Sequence, residues 1–178
     1  PQMDSVPQAA RYKEPMILFR NNRDGTFEDV SSTLAGVPYG SQRGAAFGDI
    51  NNDGNVDVVI INVGEPPTLL MNQGGNKNHR VLFKLVGTES NKMAIGARVT
   101  VTAGKLVQLS EVRGGGSYLS QNDPRLHFGL GDEASMSQVL IQWPSGKSET
   151  LRDLAADFIY TIVEGAGVKD KIALPLPK

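Results

Sequence analysis

Gly48-Asp49-Ile50-Asn51-Asn52-Asp53-Gly54-Asn55-Val56-Asp57 runs directly into Val58-Val59-Ile60-Ile61, and the chain is organised around this stretch. Carboxylate or amide oxygens recur at Asp49, Asn51, Asp53 and Asp57, with Gly54 where the backbone must turn sharply. Alternate residues of a tight loop point inward, so positions one, three and five can converge on one point. Asn55, at position seven, offers its backbone carbonyl, and Asp57, at nine, a further carboxylate. An all-oxygen set at such short spacing suits a hard cation such as calcium. A metal-free turn is the plain alternative, because Asp, Asn and Gly are also the favoured turn residues. Three Asp within nine residues repel one another unless a cation neutralises them, and this favours the metal.

An EF-hand loop starts the same way but needs a bidentate Glu at position twelve and flanking helices. Here position twelve is Ile60, and the residues after Gly54 are rich in β-branched side chains that favour strands. The motif is therefore strand–loop–strand, with Ala45-Ala46-Phe47-Gly48 entering and Val56 to Val63 leaving.

The 178 residues are enough for one or two domains with a real core. A net charge of −1 leaves no basic face for nucleic acid or an anionic membrane. No apolar run approaches the ~18 residues of a membrane span, and no signal peptide is visible. The absence of cysteine excludes disulfides and thiolate metal sites. The polar start without Met reads as a piece of a longer chain. A weak calcium site fills where calcium is millimolar, which points outside the cytoplasm: secreted, cell-surface or periplasmic.

Twenty Gly and ten Pro suit short strands joined by many turns. Met16 to Arg20 and Thr26 to Val30 flank Asp24-Gly25, a hairpin signal. Ser31 to Arg43 reads as a polar connection, and Thr68 to Asn72 as a further short strand. Leu18-Phe19-Arg20-Asn21-Asn22 echoes Leu69-Leu70-Met71-Asn72-Gln73 at a separation of 51 residues. A period near 50 residues suits a β-propeller blade, of which this segment holds about one. From Arg80 the strands lengthen and alternate cleanly: Arg80 to Gly87, Ala97 to Ala103, Lys105 to Arg113, Leu126 to Leu130, Ser137 to Trp143, Ser148 to Leu151 and Phe158 to Val163. Period two with one polar face predicts an antiparallel β-sandwich or partly open barrel. Leu151 to Asp157 hints at a helical turn, and Gly165 to Lys178 reads as a loose tail. The expected fold is all-β, a partial propeller-blade-like sheet followed by an antiparallel β-sandwich. The boundaries fall at residues 16–78, 79–165 and a tail over 166–178.

GAAFGDINNDGNVDVVIINV, with LFRNNRDGTFEDV before it, resembles the FG-GAP/VCBS repeats that form the blades of integrin-type propellers. NHRVLFKLVGTESNKMAIGARVTVTAG, EVRGGGSYLSQNDPRLHFGLG and QVLIQWPSGKSETL resemble the ASPIC/UnbV domain, which follows such repeats in bacterial exported proteins and in cartilage acidic proteins. The resemblance covers about Leu18 to Glu164. It implies that Asp49, Asn51, Asp53 and Asp57 ligate calcium by side chains and Asn55 by its carbonyl. It also implies the rest of a propeller in the parent chain. Only one complete metal loop is present, since Asn21 to Gly25 lacks the alternating acids. The resemblance implies adhesion or matrix-type interaction and no enzymatic activity.

Ser117, Ser120, Asp123 and His127 invite comparison with a hydrolase triad. No Gly-x-Ser-x-Gly elbow accompanies them, and turn bonding with a half-buried His is the plainer reading. Gly114-Gly115-Gly116 lacks the Lys-Ser/Thr of a phosphate loop and suits a bulge. His79 and His127 are too few for zinc. Trp143, Tyr118, Phe128 and Phe83 suit a core better than a sugar-stacking platform. Glu111 and Arg98 suit a solvated cross-strand ion pair, with Arg113 on the same strand face as Glu111. The expected function is a non-enzymatic, calcium-binding module for an extracellular protein or glycan partner. The rival is a carbohydrate-active hydrolase or lectin-like domain with a site near His127.

Overall fold

The computed structural model describes residues 13–22, 24–34, 36–37, 39–74 and 77–176. They form thirteen strands, with one 3-10 turn at Ser31–Leu34. The fold is all-β, as the sequence predicts.

The chain divides into two compact units. One comprises Pro1–Ala45 and Val59–Leu69; the other comprises Ala46–Val58 and Leu70–Lys178. The chain passes from one to the other at three points, within β3 (Gln42–Gly48), β4 (Asp57–Asn62) and β5 (Thr68–Leu70). In the first unit, β1 (Phe19–Asn21) pairs antiparallel with β2 (Phe27–Asp29), with Phe19 opposite Asp29. Gly25 takes φ +90 in the connecting turn, a conformation that glycine adopts without steric cost. The predicted Asp-Gly hairpin is therefore formed. β3, β4 and β5 (Thr68–Leu70) make a three-stranded sheet in that order, the blade-like part of the chain.

The second unit carries two four-stranded sheets. One has the order β11-β10-β7-β8, and the other β13-β12-β6-β9. Their bounds are β6 His79–Val86, β7 Arg98–Ala103, β8 Leu106–Glu111, β9 Leu126–Gly131, β10 Ser135–Gln142, β11 Ser148–Ala155, β12 Phe158–Val163 and β13 Gly167–Ala173. Alternate residues of β7 and β10 (Val99, Val101, Val139, Ile141) meet Val81, Phe83 and Leu85 of β6 and Phe128 and Leu130 of β9 in one buried cluster. Period two delivers these side chains to a single face of each sheet, which makes the sandwich.

β6 departs from simple alternation, because Arg80 to Phe83 are all buried. It lies between β12, to which it pairs in parallel, and β9. Its second face carries Leu82, which packs with Ile159 and Leu174 in a small separate cluster. A near-continuous apolar run is the signature of a strand covered on both faces.

Two expectations are corrected. The loose tail over 166–178 is instead β13 followed by Leu174, which is buried. Pairing of β13 with β12 satisfies its backbone, so its charged side chains can remain exposed. The helical turn at Leu151 to Asp157 is instead the second half of β11, paired with β10 through Leu151↔Val139 and Leu154↔Met136. Cross-strand pairing and half-burial of Leu151 and Leu154 override the helical preference of that run.

Candidate metal loop and adjoining cleft

Residues 49–57 lie within the second unit. Two of them adopt left-handed backbone conformations, Asn52 at φ 57 and Gly54 at φ +85. Asn is among the few side-chain-bearing residues that accept this region readily. A Cβ on Gly54 would collide with Nε of Arg80, so glycine is required there on two counts.

The loop's oxygens bond its own amides. Asp49 accepts from the amides of Asp53 at 3.0 Å and Gly54 at 2.8 Å, one on each carboxylate oxygen. Asp57 accepts from the amides of Ile50 at 3.0 Å and Asn72 at 2.8 Å. Asp53 accepts from the Asn55 amide at 2.8 Å and the Asn51 side-chain amide at 3.0 Å. Asp57 is fully buried and Asp49 is 4% exposed. Burial raises the pKa of Asp53, but hydrogen bonds from Asn55 and Asn51 and the charge of Arg80 outweigh it and hold the carboxyl below its ordinary value.

Three side chains from the sandwich grip the loop by its carbonyls. Nη2 of Arg80 donates to Asp53 at 2.6 Å and to Pro175 at 2.8 Å. Nη2 of Arg125 donates to the Asp49 carbonyl at 2.6 Å, while its Nη1 donates to Oδ1 of Asn52 at 2.6 Å. Nε2 of His127 lies 2.9 Å from the Gly54 carbonyl. A carbonyl only accepts, so this nitrogen carries the proton. The Asn55 carbonyl is not among the three.

The donor set of Asp49, Asn51, Asp53, Asn55 and Asp57 has the chemistry a hard cation needs. Each carboxylate oxygen also keeps a second lone pair beyond its amide contact. Among the described residues, however, no three His, Cys, Asp or Glu side chains converge closely enough to hold an ion. Binding would require Asp49, Asp53 and Asp57 to draw together.

Beside the loop lies a cleft of about 710 Å³, which includes Asp49, Glu111, Arg113, Asp123 and His127 in its walls. Three of the four triad-like residues are engaged elsewhere. Asp123 bonds the amide and Nε of Arg125, His127 holds the loop, and the Ser120 hydroxyl donates to the Tyr118 carbonyl. Phe83, Phe128 and Trp143 are buried, as a core reading requires, whereas Tyr118 is exposed. Arg98 donates from Nε to Glu111 at 3.0 Å, with Arg98 exposed and Glu111 partly so, the cross-strand pair expected of that register.

Arg80 and Arg125, the loop's clamps, carry no signal in the sequence. They lie 27 and 76 residues from the carbonyls they hold, too far for any local spacing to betray.

Comparison with known proteins bears on the same residues. The family described as ASPIC and UnbV matches residues 87–169. An FG-GAP-like repeat matches residues 9–60, which contain the loop. The chain joins an FG-GAP-like repeat to an ASPIC and UnbV domain. It is similar to Cartilage acidic protein 1 of Xenopus tropicalis, 32% identical over 152 residues, covering 82% of this chain and 23% of that protein. Its similarity to Cartilage acidic protein 1 of Homo sapiens is 30% over 167 residues, covering 90% of this chain and 24% of the relative. The chain thus spans about a quarter of the length of these relatives. Among the described residues of this FG-GAP and ASPIC/UnbV chain, no helix is long and apolar enough to cross a membrane.

Proposed function

We propose that the chain is a non-enzymatic interaction module working outside the cytoplasm, with calcium as a structural ion in the Asp49–Asp57 loop. The observation that carries this reading is the grip of Arg80, Arg125 and His127 on three loop carbonyls. Such a grip builds the loop into the sandwich unit, where a bound cation would neutralise the Asp cluster and stiffen the whole unit. Asp49, Asn51, Asp53 and Asp57 would contribute side-chain oxygens, and Asn55 its carbonyl. Two family matches associated with interaction rather than turnover favour the non-enzymatic reading. So does the engagement of Asp123 and His127 in structural bonds. The FG-GAP-like match suggests a larger propeller, and the exposed Ile17, Phe19, Phe27 and Leu69 of the first unit fit a blade that packs against others.

Calcium titration by calorimetry on the wild-type chain and on Asp53→Ala tests the reading. Saturable heat at one site in the wild type, lost in the variant, supports it. No heat up to millimolar calcium reduces the loop to a set of Asx turns and removes calcium from the account.

A further inference from the structure

The cleft beside the loop is lined by residues of the second unit alone. Part of its wall is fixed by the end of β3. The Phe47 amide donates to Oδ1 of Asn122 at 3.0 Å, and the Phe47 carbonyl accepts from the Asp123 amide at 2.9 Å. At Gly48 a Cβ would meet the Cβ of Asp123 at 2.8 Å, so glycine lets the two segments close. Phe47, Asn122 and Asp123 are thereby held together in the cleft wall. Phe47 remains 45% exposed, and Leu109, which also lines the cleft, is 65% exposed.

The polar lining is mixed rather than one-sided. Asp49, Glu111 and Asp123 stand against Arg98, Arg113 and Arg125, so neither sign of charge prevails. Several of these groups are already oriented by a partner. Arg98 donates to Oε2 of Glu111, which leaves Oε1 to accept. Asn122 commits its oxygen to Phe47, which leaves its NH2 to donate. The exposed Arg113 adds further donors, and Ser110 a hydroxyl that both donates and accepts.

Such a lining gives a charged ligand no net attraction, and an apolar ligand would strand its polar groups. Hydroxyls, which donate and accept at once, satisfy it. A pyranose carries several of them around a ring whose C–H face is apolar, and Phe47 and Leu109 offer that face cover. At about 710 Å³ the cleft lies within the roughly 300–1,000 Å³ of small-molecule sites.

We propose that this cleft binds an uncharged glycan. A sugar ring rests its C–H face on Phe47 and sets its hydroxyls against Glu111, Asn122 and Arg113. The proposal rests on the interaction-module reading above and names the partner's chemistry.

The test uses the full chain, isotopically labelled, with and without calcium. The probes are neutral trisaccharides of glucose, mannose and N-acetylglucosamine, a sulfated uronate hexasaccharide, and a capped Ser-Val hexapeptide. Saturable NMR shifts of the Phe47, Glu111 and Asn122 amides with a neutral trisaccharide, equal at low and high salt, support the proposal. Phe47→Ala removes an exposed ring, and Asn122→Asp keeps the oxygen that Phe47 needs while removing the donor. Each is expected to weaken the binding about tenfold while amides away from the cleft keep their positions. Undiminished binding in either variant overturns the placement of the sugar. Trisaccharide binding that fades with salt overturns the charge-neutral recognition. Shifts of these amides with the hexasaccharide alone, or the peptide alone, overturn the uncharged glycan and leave the interaction-module reading standing. No shift with any probe overturns the cleft as a binding site. The calcium titration judges the wider reading separately.

Discussion

Nη2 of Arg80 lies 2.6 Å from the carbonyl oxygen of Asp53, so a buried strand residue of the sandwich holds the middle of the candidate metal loop. The same nitrogen reaches the Pro175 carbonyl, which ties the segment after β13 to the loop through one guanidinium. Arg80→Met would keep the apolar stem and leave both carbonyls without their charged donor. We expect it to cost about 2–3 kcal/mol of unfolding free energy, read by urea denaturation. Loss of less than half a kcal/mol would mean that water replaces the guanidinium without penalty.

Gly54→Ala meets both a left-handed backbone and the Arg80 side chain. Gly64→Ala meets only the backbone term, since nothing lies within 4 Å of its Cβ position at φ +73. The first substitution is expected to cost about 2–5 kcal/mol and the second about 1–2 kcal/mol, again by urea denaturation. Equal costs would show that Arg80 moves aside freely.

Glu164 is the most heavily bonded carboxylate of the sandwich. Its Oε2 accepts from the amides of Thr88, Glu89 and Ser90 at 2.8 to 2.9 Å, and its Oε1 accepts from the hydroxyls of Ser90 and Ser145. Burial alone would raise its pKa, but these bonds bring it down to about 2 from an ordinary 4.5. A depressed folded-state value contributes stability that is complete above about 4.5 and is lost as pH falls toward 2. Urea midpoints measured from pH 6 to pH 2 should fall more steeply through that window in the wild type than in Glu164→Gln. Parallel curves would contradict the assignment. Comparing the two chains cancels the contributions of Asp24, Asp29 and Asp53, whose values are also lowered.

Leu174 closes the second face of β6 against Leu82 and Ile159. Leu174→Ala is expected to cost about 2–4 kcal/mol, the usual range for emptying a buried aliphatic site. A change within half a kcal/mol would return residues 166–178 to the status of a dispensable tail.

Much of this fold was legible in the sequence. Asp24-Gly25 marked the first hairpin, and the alternation of Val99, Val101 and their neighbours marked the sandwich, because period two is imposed directly by the pleat. β13 escaped because Val-Lys-Asp-Lys-Ile is largely polar, and its stability comes from pairing with β12 rather than from its own composition. The first half of β11 was legible at Ser148 to Leu151, and its second half escaped because the Leu- and Ala-containing run after it favours a helix that only the partner strand overrules. The loop announced its own oxygens at Asp49, Asn51, Asp53 and Asp57. The clamps at Arg80, Arg125 and His127 are long-range contacts and left no periodic trace.

The most direct measurement is a thermal melt followed by the fluorescence of Trp143, once with calcium and once with chelator. Trp143 is the chain's single tryptophan and is 3% exposed within the sandwich core, so its emission reports the sandwich and not the loop. An ion that binds only the native state raises the midpoint of every element that unfolds with its site. If calcium fills the loop and the loop is fastened to the sandwich, the tryptophan-detected midpoint rises with calcium and falls back with chelator, and Asp53→Ala abolishes the difference. A midpoint indifferent to calcium in the wild type would contradict the central claim.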